Sequence, residues 1–360
     1  MKKFLPVVLV LVALSSGCTV PILNIDIPGL GGPNVVQYEH DIVIIKSLEA
    51  VPNEIDAGGT AKILAYIENK GDKKVGPVTV DLYDYCKGLF EPKVLTCGNQ
   101  PGTERQGETS CSIGEMLPGE IVPVIWSVCQ NRAEAVKVRT VCPSDGLKVL
   151  VRYPYETTSL TTISLISLEE MQREMIERTY KPVESYIALG QGPIKPYLTV
   201  EDKQPVPVFD IMPGSKYTNT GVPNARTVLK LQLKNMGSGQ LATVARVNNR
   251  EVTGILGRDI VVSGIGAGSD LVPVEPTQDE NTTCVFAEDG SGSSAGKSDW
   301  DERLIRFVGK ETSPYYCKID LSKLKGQVER TTTRHMRVDV KYDYAITKNV
   351  LLTVNPKITG

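Results

Sequence analysis

The stretch Val149-Leu-Val-Arg-Tyr-Pro-Tyr155 occurs again near the end of the chain as Val338-Asp-Val-Lys-Tyr-Asp-Tyr344. Both copies have the form V-x-V-[K/R]-Y-x-Y, and each is followed by a further strand candidate. An earlier pair precedes them in the same order, because an alternating strand closed by Asn-x-Gly occurs at 61–71 and again at 228–237. Two repeats in one order predict two domains of related topology, each ending in an antiparallel hairpin.

The composition of the chain also favours strands. The aromatic residues are 14 Tyr, 5 Phe and 2 Trp, and 32 Gly and 23 Pro supply turns. Strand candidates separated by turn residues span 41–49, 60–68, 75–85, 117–129, 147–153 and 159–166. The sequence therefore predicts an all-β chain of two tandem immunoglobulin-like antiparallel β-sandwiches joined by a short helix.

The chain divides into five predicted segments. They are a lipoprotein-like signal peptide at 1–18, a flexible tether at 19–37, an immunoglobulin-like domain at 38–166, a helical linker at 167–192, and a second β-sandwich at 193–360 with an acidic loop at 263–316. The tether is assigned from its Gly, Pro and Asn content, which does not sustain regular structure.

The linker carries the signal for a helix. Ser167 and Glu170 form an S-x-x-E capping box, in which each side chain satisfies the backbone N–H of the other. Pro182 is expected to end the helix. Four apolar residues fall on one face at helical spacing: Leu168, Met171, Met175 and Ile176. We expect this face to pack on a neighbouring sheet, with docking of a partner as the alternative.

The N-terminus has the layout of a secretory signal: Met1-Lys-Lys, an apolar run from Phe4 to Leu14, the small residues Ser15-Ser-Gly17, and then Cys18. The apolar run is shorter than the roughly 20 residues that a membrane-spanning helix needs. A Cys at this place resembles a prokaryotic lipoprotein signal. It predicts export and attachment to the outer face of the cell membrane through a lipid on Cys18. Cleavage without lipidation is the alternative, because Ser15 stands where such signals usually have Leu.

The order of motifs in residues 41–85 carries a family resemblance. A strand, Pro52-Asn-Glu-Ile-Asp-Ala-Gly58, a second strand, Asn69-Lys-Gly71 and a third strand follow one another. This order resembles the immunoglobulin-like CARDB module, a cell-adhesion-related domain of prokaryotic surface lipoproteins. In the second domain the resemblance rests on 229–237, and the insert 87–116 departs from a compact module. The resemblance implies extracellular binding or spacing and carries over no catalytic residues.

Eight cysteines behind an export signal are typical of disulfides. Besides Cys18, the candidates are Cys86, Cys97, Cys111, Cys129, Cys142, Cys284 and Cys317. Cys284 and Cys317 are predicted to pair, and Cys129 with Cys142 is a second candidate pair. The other three then contain one bridge and one free thiol, unless Cys18 reaches one of them. Zinc is not predicted, because no two cysteines have ligand spacing and histidine occurs only twice, as His40 and His335.

The segment 270–302 holds nine acidic residues and one basic residue, Lys297. We expect a solvated loop, with a surface for a cation, a sugar or a basic partner as the alternative. Its candidate ligand residues are Asp289, Asp299, Trp300, Asp301 and Glu302. Ca²⁺ is the one cation considered, although D-x-[D/N]-x-[D/N]-G is absent. No other cofactor and no metal site is predicted.

The sequence contains no recognisable catalytic motif. G-x-S-x-G is absent, neither histidine adjoins a nucleophile, and residues 291–298 fail the spacing of a phosphate loop. A formal charge of −2 offers no broad cationic surface for nucleic acid.

These observations predict a non-enzymatic cell-surface or envelope protein. Its role is binding, adhesion or structure through the sandwich loops, with an envelope protein or a glycan as partner. One alternative is a secreted hydrolase or carbohydrate-binding accessory that uses residues 270–302. The other alternative is a subunit of an extracellular filament or envelope complex.

Overall fold

The computed structural model describes residues 40–86, 88–98, 104–106, 108–130, 138–141, 145–208, 226–247, 250–263, 303–321 and 328–356. The strands of the N-terminal half are β1 Val43–Val51, β2 Glu54–Asp56, β3 Thr60–Asn69, β4 Val78–Asp84, β5 Phe90–Cys97, β6 Glu104–Gln106, β7 Ser110–Ile113, β8 Ile121–Gln130, β9 Thr140–Val141 and β10 Leu147–Ser167.

Helix α1, Leu168–Ile176, follows β10. The remaining strands are β11 Ile187–Leu189, β12 Ile194–Val200, β13 Val206–Val208, β14 Arg226–Asn235, β15 Gln240–Leu241, β16 Val244–Val247, β17 Arg250–Thr253, β18 Ile255–Leu256, β19 Ile260–Ser263, β20 Leu304–Ile305, β21 Phe307–Val308, β22 Glu311–Thr312, β23 Tyr315–Asp320, β24 Thr331–Val350 and β25 Thr353–Asn355. A 3-10 turn spans Gly257–Asp259. We call Ile194–Val350 the C-terminal half.

Three sheets carry the fold. A four-stranded sheet has the order β1-β3-β8-β5, and a five-stranded sheet has the order β12-β14-β22-β21 with β23 also on β14. Between them runs a nine-stranded sheet, β15-β24-β10-β4-β7-β6, in which β11 and β13 pair with β10 and β19 pairs with β24. The small sheets β16-β17, β18-β20 and β2-β25-β9 complete the described part. The predicted all-β sandwich class is confirmed.

Alternating burial explains why these strands pack face to face. In β3 every second residue from Ala61 to Ile67 is buried, and the opposite residues face outward. Trp126 on β8 is fully buried, and its indole N–H donates to the Thr109 carbonyl oxygen over 2.8 Å. Leu229 of β14 is buried in the same continuous core. The described core therefore runs from one sandwich into the other.

Strands β10 and β24 form one long antiparallel ribbon, which we call the central ribbon. Its register runs from Leu147 opposite Val350 to Ile166 opposite Thr331. At about 3.3 Å per residue, the 20 residues of β24 extend about 65 Å. The first part of β10 pairs with β4 of the N-terminal half, while its later part packs on β12 of the C-terminal half. Both halves thus share the ribbon, and residues 38–360 form a single unit.

The hairpin predicted to close each repeat is wrong. The two strand candidates 147–153 and 159–166 are one strand, and the two V-x-V-[K/R]-Y-x-Y copies pair with each other. Tyr153 lies opposite Tyr344, and Tyr155 lies opposite Tyr342. The repeat sequence therefore marks the centre of a ribbon that joins the halves, and not the end of each half.

Buried threonines explain the missing turn. Thr157 and Thr161 are fully buried at the alternating inward positions of β10. The Thr157 hydroxyl lies 2.6 Å from the Tyr342 hydroxyl, and the Thr161 hydroxyl donates to the Leu198 carbonyl oxygen over 2.7 Å. These hydroxyls have hydrogen-bond partners, so the two polar residues can be buried. Burial therefore alternates along the whole strand, although the alternation of apolar and polar residues is interrupted at the threonines.

The two Asn-x-Gly turns are built in the same way. Asn69 and Asn235 end β3 and β14, and each side-chain oxygen accepts from the backbone N–H two residues later, over 2.9 and 3.1 Å. Each side-chain amide donates to the carbonyl oxygen four residues later, over 2.9 Å in both turns. This local capping explains why both strands stop where the sequence predicts.

Helix α1 lies in the predicted linker, but its capping differs in part. The Ser167 hydroxyl accepts from the Glu170 backbone N–H over 3.3 Å, as a capping box requires. The Glu170 side chain instead accepts from Arg173, and the Ser167 N–H donates to the Arg330 carbonyl oxygen over 2.8 Å. The helix ends at Ile176, six residues before Pro182.

The predicted packing of the α1 apolar face is wrong for its last turn. No residue of the helix is buried, and Met175 and Ile176 are 54% and 83% exposed. Leu168 and Met171 are half-buried, since the first turn contacts β10 and β13. The helix therefore joins β10 to β11 and leaves its C-terminal apolar residues at the surface.

Candidate binding site at the junction of the two halves

An open cleft lies over the centre of the central ribbon. Its cavity volume is about 560 Å³, within the range of small-ligand sites. We call it the junction cleft, and its lining residues are Lys73, Lys74, Val75, Gly76, Pro154, Tyr155, Glu156, Thr243, Asp259, Lys341, Tyr342 and Asp343. The loop after β3, the ribbon centre and two segments of the C-terminal half each supply part of the wall. Both halves are thus needed to form the cleft.

Charges of both signs alternate around the junction cleft. Lys341 and Glu156 form an ion pair across the ribbon, with 4.0 Å between Nζ and Oε2. Burial, and then the nearby charge of Asp259, raises the pKa of the Asp343 carboxyl. Since Lys73 also belongs to the lining, the cleft offers both hydrogen-bond donors and acceptors. Such a lining suits a polar ligand that makes many hydrogen bonds, for example a sugar or a peptide backbone.

Tyr155 and Tyr342 also belong to the lining of the junction cleft, and both are buried at inward positions of the central ribbon. Burial, and then the charge of Asp72, raises the pKa of Tyr155 to about 12. Burial also raises the pKa of Tyr342, whose hydroxyl contacts Thr157 and accepts from the Ile194 backbone N–H over 3.3 Å. Both phenols stay protonated at neutral pH and do not serve as bases, and the Tyr342 hydroxyl already has its partners within the protein.

A second, smaller cavity lies beside the point where the described chain begins. Its volume is about 210 Å³. We call it the lysine cavity, and its lining residues are His40, Asp41, Ile42, Lys70, Leu189, Gly190, Gln191, Gly192 and Lys195. Lys195 is 5% exposed, and its Nζ donates to the Gly190 carbonyl oxygen over 2.5 Å. Burial lowers the pKa of this lysine.

Each Asn-x-Gly loop crosses the junction to contact the other half. The Ser238 backbone N–H donates to Asp41 Oδ1 over 3.1 Å, and its hydroxyl donates to Asp41 Oδ2 over 2.5 Å. In the opposite direction, the Asp72 N–H donates to Gln191 Oε1 over 3.2 Å. These reciprocal contacts fix the walls of the lysine cavity, since Asp41 and Gln191 both line it.

The structure contains the Cys97–Cys111 disulfide, with an S–S distance of 1.99 Å and a Cα–Cα distance of 5.6 Å. One bridge among Cys86, Cys97 and Cys111 is therefore confirmed. The expected free thiol in this trio is wrong, because Cys86 is also disulfide-bonded. Cys317 is disulfide-bonded as well, while its predicted partner Cys284 lies outside the described residues.

The predicted Cys129–Cys142 bridge is wrong for Cys129, which is a free thiol. Cys129 lies near the end of β8, between Thr60 of β3 and Glu91 of β5, and the Thr60 hydroxyl donates to its Sγ over 3.4 Å. Its side chain is thus held at the sheet surface by neighbouring strands. Cys142 and Cys18 lie outside the described residues.

The acidic candidates also lie outside the described residues, namely Asp289, Asp299, Trp300, Asp301 and Glu302. The last part of the predicted acidic loop forms β20 to β22 and the start of β23. Of the two histidines, His335 pairs with Thr162 within the central ribbon and His40 lines the lysine cavity. In the part of the chain that the structure describes, no group of three acidic, Cys or His side chains is placed to hold a metal ion.

No known protein family matches this chain. The family models give no match, and no curated protein is similar enough to match either. Among solved structures, the chain is similar to a collagen adhesin from S. aureus, with 8% sequence identity and a TM-score of 0.16. The match covers 88% of this chain and 93% of that one. At this TM-score the similarity carries no inference about function.

No helix between residues 40 and 356, within the ranges described above, has the length and hydropathy needed to cross a membrane. The predicted signal peptide, including Cys18, precedes these ranges.

Sequence reasoning missed Lys195 and the residues of the junction cleft. The repeat contains a signal for Lys195. Val43 pairs with Asn69, and Ile194 pairs with Asn235, so Lys195 occupies the position that Ile44 has in the first repeat. Aligning the two repeats would therefore have singled out Lys195 as a candidate site residue, because a lysine stands where the first repeat has an aliphatic residue. The cleft had no such signal, because it depends on the pairing of β10 with β24.

Proposed function

We propose that this protein is a non-enzymatic cell-surface or envelope protein that binds a glycan or an envelope protein through the junction cleft. The observation that carries the proposal is the central ribbon, which holds both sandwiches on one sheet with a cleft of about 560 Å³ over its centre. A binding site whose walls cannot move apart loses little entropy on binding a polar partner. Adhesion and a structural role in the envelope both require such presentation.

We further propose that the protein is exported and anchored by a lipid on Cys18, as in prokaryotic surface lipoproteins with CARDB-like domains. The short apolar run and the small residues before Cys18 support this placement. The disulfide between Cys97 and Cys111 supports an oxidising compartment.

Binding is tested with the full exported chain on an array of glycans and by capture from envelope fractions. A Lys73→Ala/Lys74→Ala variant is compared with a Lys46→Ala/Lys62→Ala control, which removes the same charge from β1 and β3. We expect the cleft variant to lose its partner and the control to keep it. Equal binding by the two variants would remove the junction cleft from the proposal.

A deletion of residues 270–302 serves as the third arm of this experiment. If binding is lost only in this variant, the partner binds the acidic segment, as the carbohydrate-binding alternative predicts. We expect binding to be retained, because every lining residue that the structure describes lies outside the deleted segment.

Anchoring is tested by mass spectrometry of the mature N-terminus and by cell fractionation. We expect a lipid-modified Cys18 in the membrane fraction, and release of a Cys18→Ala variant into the medium. An unmodified Cys18 in a membrane-free chain would contradict the anchor and leave the binding experiment unaffected.

The filament alternative has less support from the strand edges. Edge strands β1 and β5 carry irregularities at Ile45/Ser47 and Val94/Thr96, and the edge strand β12 contains Pro196. Bulges and prolines oppose the addition of a strand from another chain. These described edges therefore favour a protein that does not polymerise by strand addition.

A further inference from the structure

The lysine cavity contains an ammonium group with a single protein acceptor. Lys195 is 5% exposed, and its one hydrogen bond within the described chain goes to the Gly190 carbonyl oxygen. An ammonium has three donors, and a buried charge requires partners for them. Two donors of Lys195 are therefore available to whatever occupies the cavity.

The remaining charges of the cavity leave a positive excess. Two lysines, Lys70 and Lys195, lie in its wall. The single carboxylate, that of Asp41, accepts hydrogen bonds from the Ser238 backbone and hydroxyl. No ion pair joins Asp41 to Lys195 within the described residues, so this carboxylate does not neutralise the lysine directly.

The fold does not require a lysine at this position. Ile44 occupies the equivalent place in the first repeat, where it pairs with Glu68 as Lys195 pairs with Lys234. A buried lysine that costs desolvation energy and has an aliphatic counterpart in the same scaffold is typical of a site and not of a packing position.

We propose that the lysine cavity binds a small oxyanion of the phosphate or carboxylate type, whose oxygens accept hydrogen bonds from Lys195. Lys70 supplies further positive charge at the wall. The volume of about 210 Å³ equals that of about seven waters in the liquid, which leaves room for one such anion and a few waters. This site is separate from the junction cleft and does not depend on the proposed function.

The experiment measures binding of inorganic phosphate, sulfate and acetate to the full exported chain by titration calorimetry, with ³¹P NMR for phosphate. We expect saturable binding of at least one anion, and the anion with the highest affinity identifies the class. Lys195→Met should weaken binding at least about tenfold, because a charged hydrogen bond is lost. Lys62→Met, on the exposed face of β3, is the matched control and should bind normally.

Absence of saturable binding for all three anions would overturn the proposal, as would equal affinity in Lys195→Met and wild type. If Lys195→Met does not fold, Lys70→Ala decides, since this side chain is exposed at the cavity wall. Reduced anion affinity in Lys70→Ala supports the site, and unchanged affinity in that variant contradicts it. Loss of anion binding with normal glycan or envelope-protein binding separates this site from the junction cleft.

Discussion

The two halves of the molecule use the same turn to reach the junction, yet they place different residues there. Asn69 and Asn235 make matching hydrogen bonds, and the residue after each donates its N–H to the residue before the first strand of its own half, over 2.7 Å in both. The positions that differ are next to these turns, where Lys195 replaces Ile44 and Met236 replaces Lys70.

This difference separates scaffold from site. The shared asparagines satisfy backbone groups, which any copy of the turn must do. The residues that differ around Lys195 form a charged cavity on one side of the junction. Within a repeat protein, unequal residues at equal positions thus point to the surface where function has diverged.

Interrupting the central ribbon tests whether the halves form one unit. Thr161 pairs with Met336 on one side and with Ile187 on the other, so Thr161→Pro removes a ladder donor from the middle of a sheet. We expect a loss of about 3 kcal/mol in the free energy of unfolding, because a buried carbonyl loses its donor and the Thr161 hydroxyl bond to Leu198 is also removed. Hydrogen exchange should show reduced protection in both β3 and β14. Leu160→Ala, at a 40% exposed neighbour, is the control.

A loss of protection confined to β14 in Thr161→Pro would show that the halves unfold separately. The two halves would then be independent folding units that share a sheet.

Replacing each capping asparagine by alanine tests whether the two Asn-x-Gly turns contribute equally to stability. Asn69→Ala should lower the free energy of unfolding by about 2 kcal/mol, because Asn69 is fully buried and its loss removes the partner of the Lys73 carbonyl and of the Gly71 N–H. Asn235→Ala should cost about 1 kcal/mol, since Asn235 is half-buried and water replaces part of the lost bonding. Urea unfolding measures both. A larger loss for Asn235→Ala would reverse the ranking.

Exchanging Lys195 and Ile44 tests how much the burial of the Lys195 charge costs in stability. Burial lowers its folded-state pKa, so the cost of its charge is present in full at neutral pH and is lost as pH rises through that pKa toward the unfolded value of about 10.4. Lys195→Ile should therefore stabilise the protein by about 1 kcal/mol at pH 7, with a smaller gain above pH 10. Thermal unfolding across this pH range measures it.

Ile44→Lys is the reciprocal variant and should destabilise the protein at pH 7. Destabilisation by Lys195→Ile at every pH would show that the bond to the Gly190 carbonyl oxygen, and not a ligand, explains the lysine.

The smallest effect is expected at Cys129. It is a free thiol near the end of β8, so alkylation without reduction should label it while Cys97 and Cys111 stay unlabelled. Cys129→Ser should change the free energy of unfolding by less than about 0.5 kcal/mol, as is usual at a partly exposed site. Peptide mass spectrometry identifies the label. Labelling of Cys97 in place of Cys129 would contradict the pairing.

The strand content could be predicted from sequence because it rests on local patterns. Alternation in β3 and the Asn69 turn are visible in the residues themselves, and both are confirmed. The ribbon could not be predicted, because Thr157 and Thr161 are polar and become acceptable inside the protein only through partners distant in sequence. The polar residues in this stretch therefore predicted a turn between two strands, whereas β10 is one continuous strand.

The candidate sites show the same limit. Cys97 and Cys111 were predicted to be candidates, but only the closeness of β5 and β7 through their turns selects this pair from three cysteines. The lysine cavity combines residues 40–42, Lys70 and Lys195, which the pairing of strands brings together from both halves. The acidic candidates at 289–302 stay a prediction.

The described chain begins at His40, close to the centre of the central ribbon. His40 lies in the lysine cavity with Gly190, whose N–H donates to the Thr158 carbonyl oxygen, within two residues of the midpoint of the ribbon at Glu156 and Thr157. The distance along the strand is about 5 Å. The described chain therefore begins beside the middle of the central ribbon. Under the proposed anchor at Cys18, a pulling force would enter β10 and β24 at their centre and not at their ends.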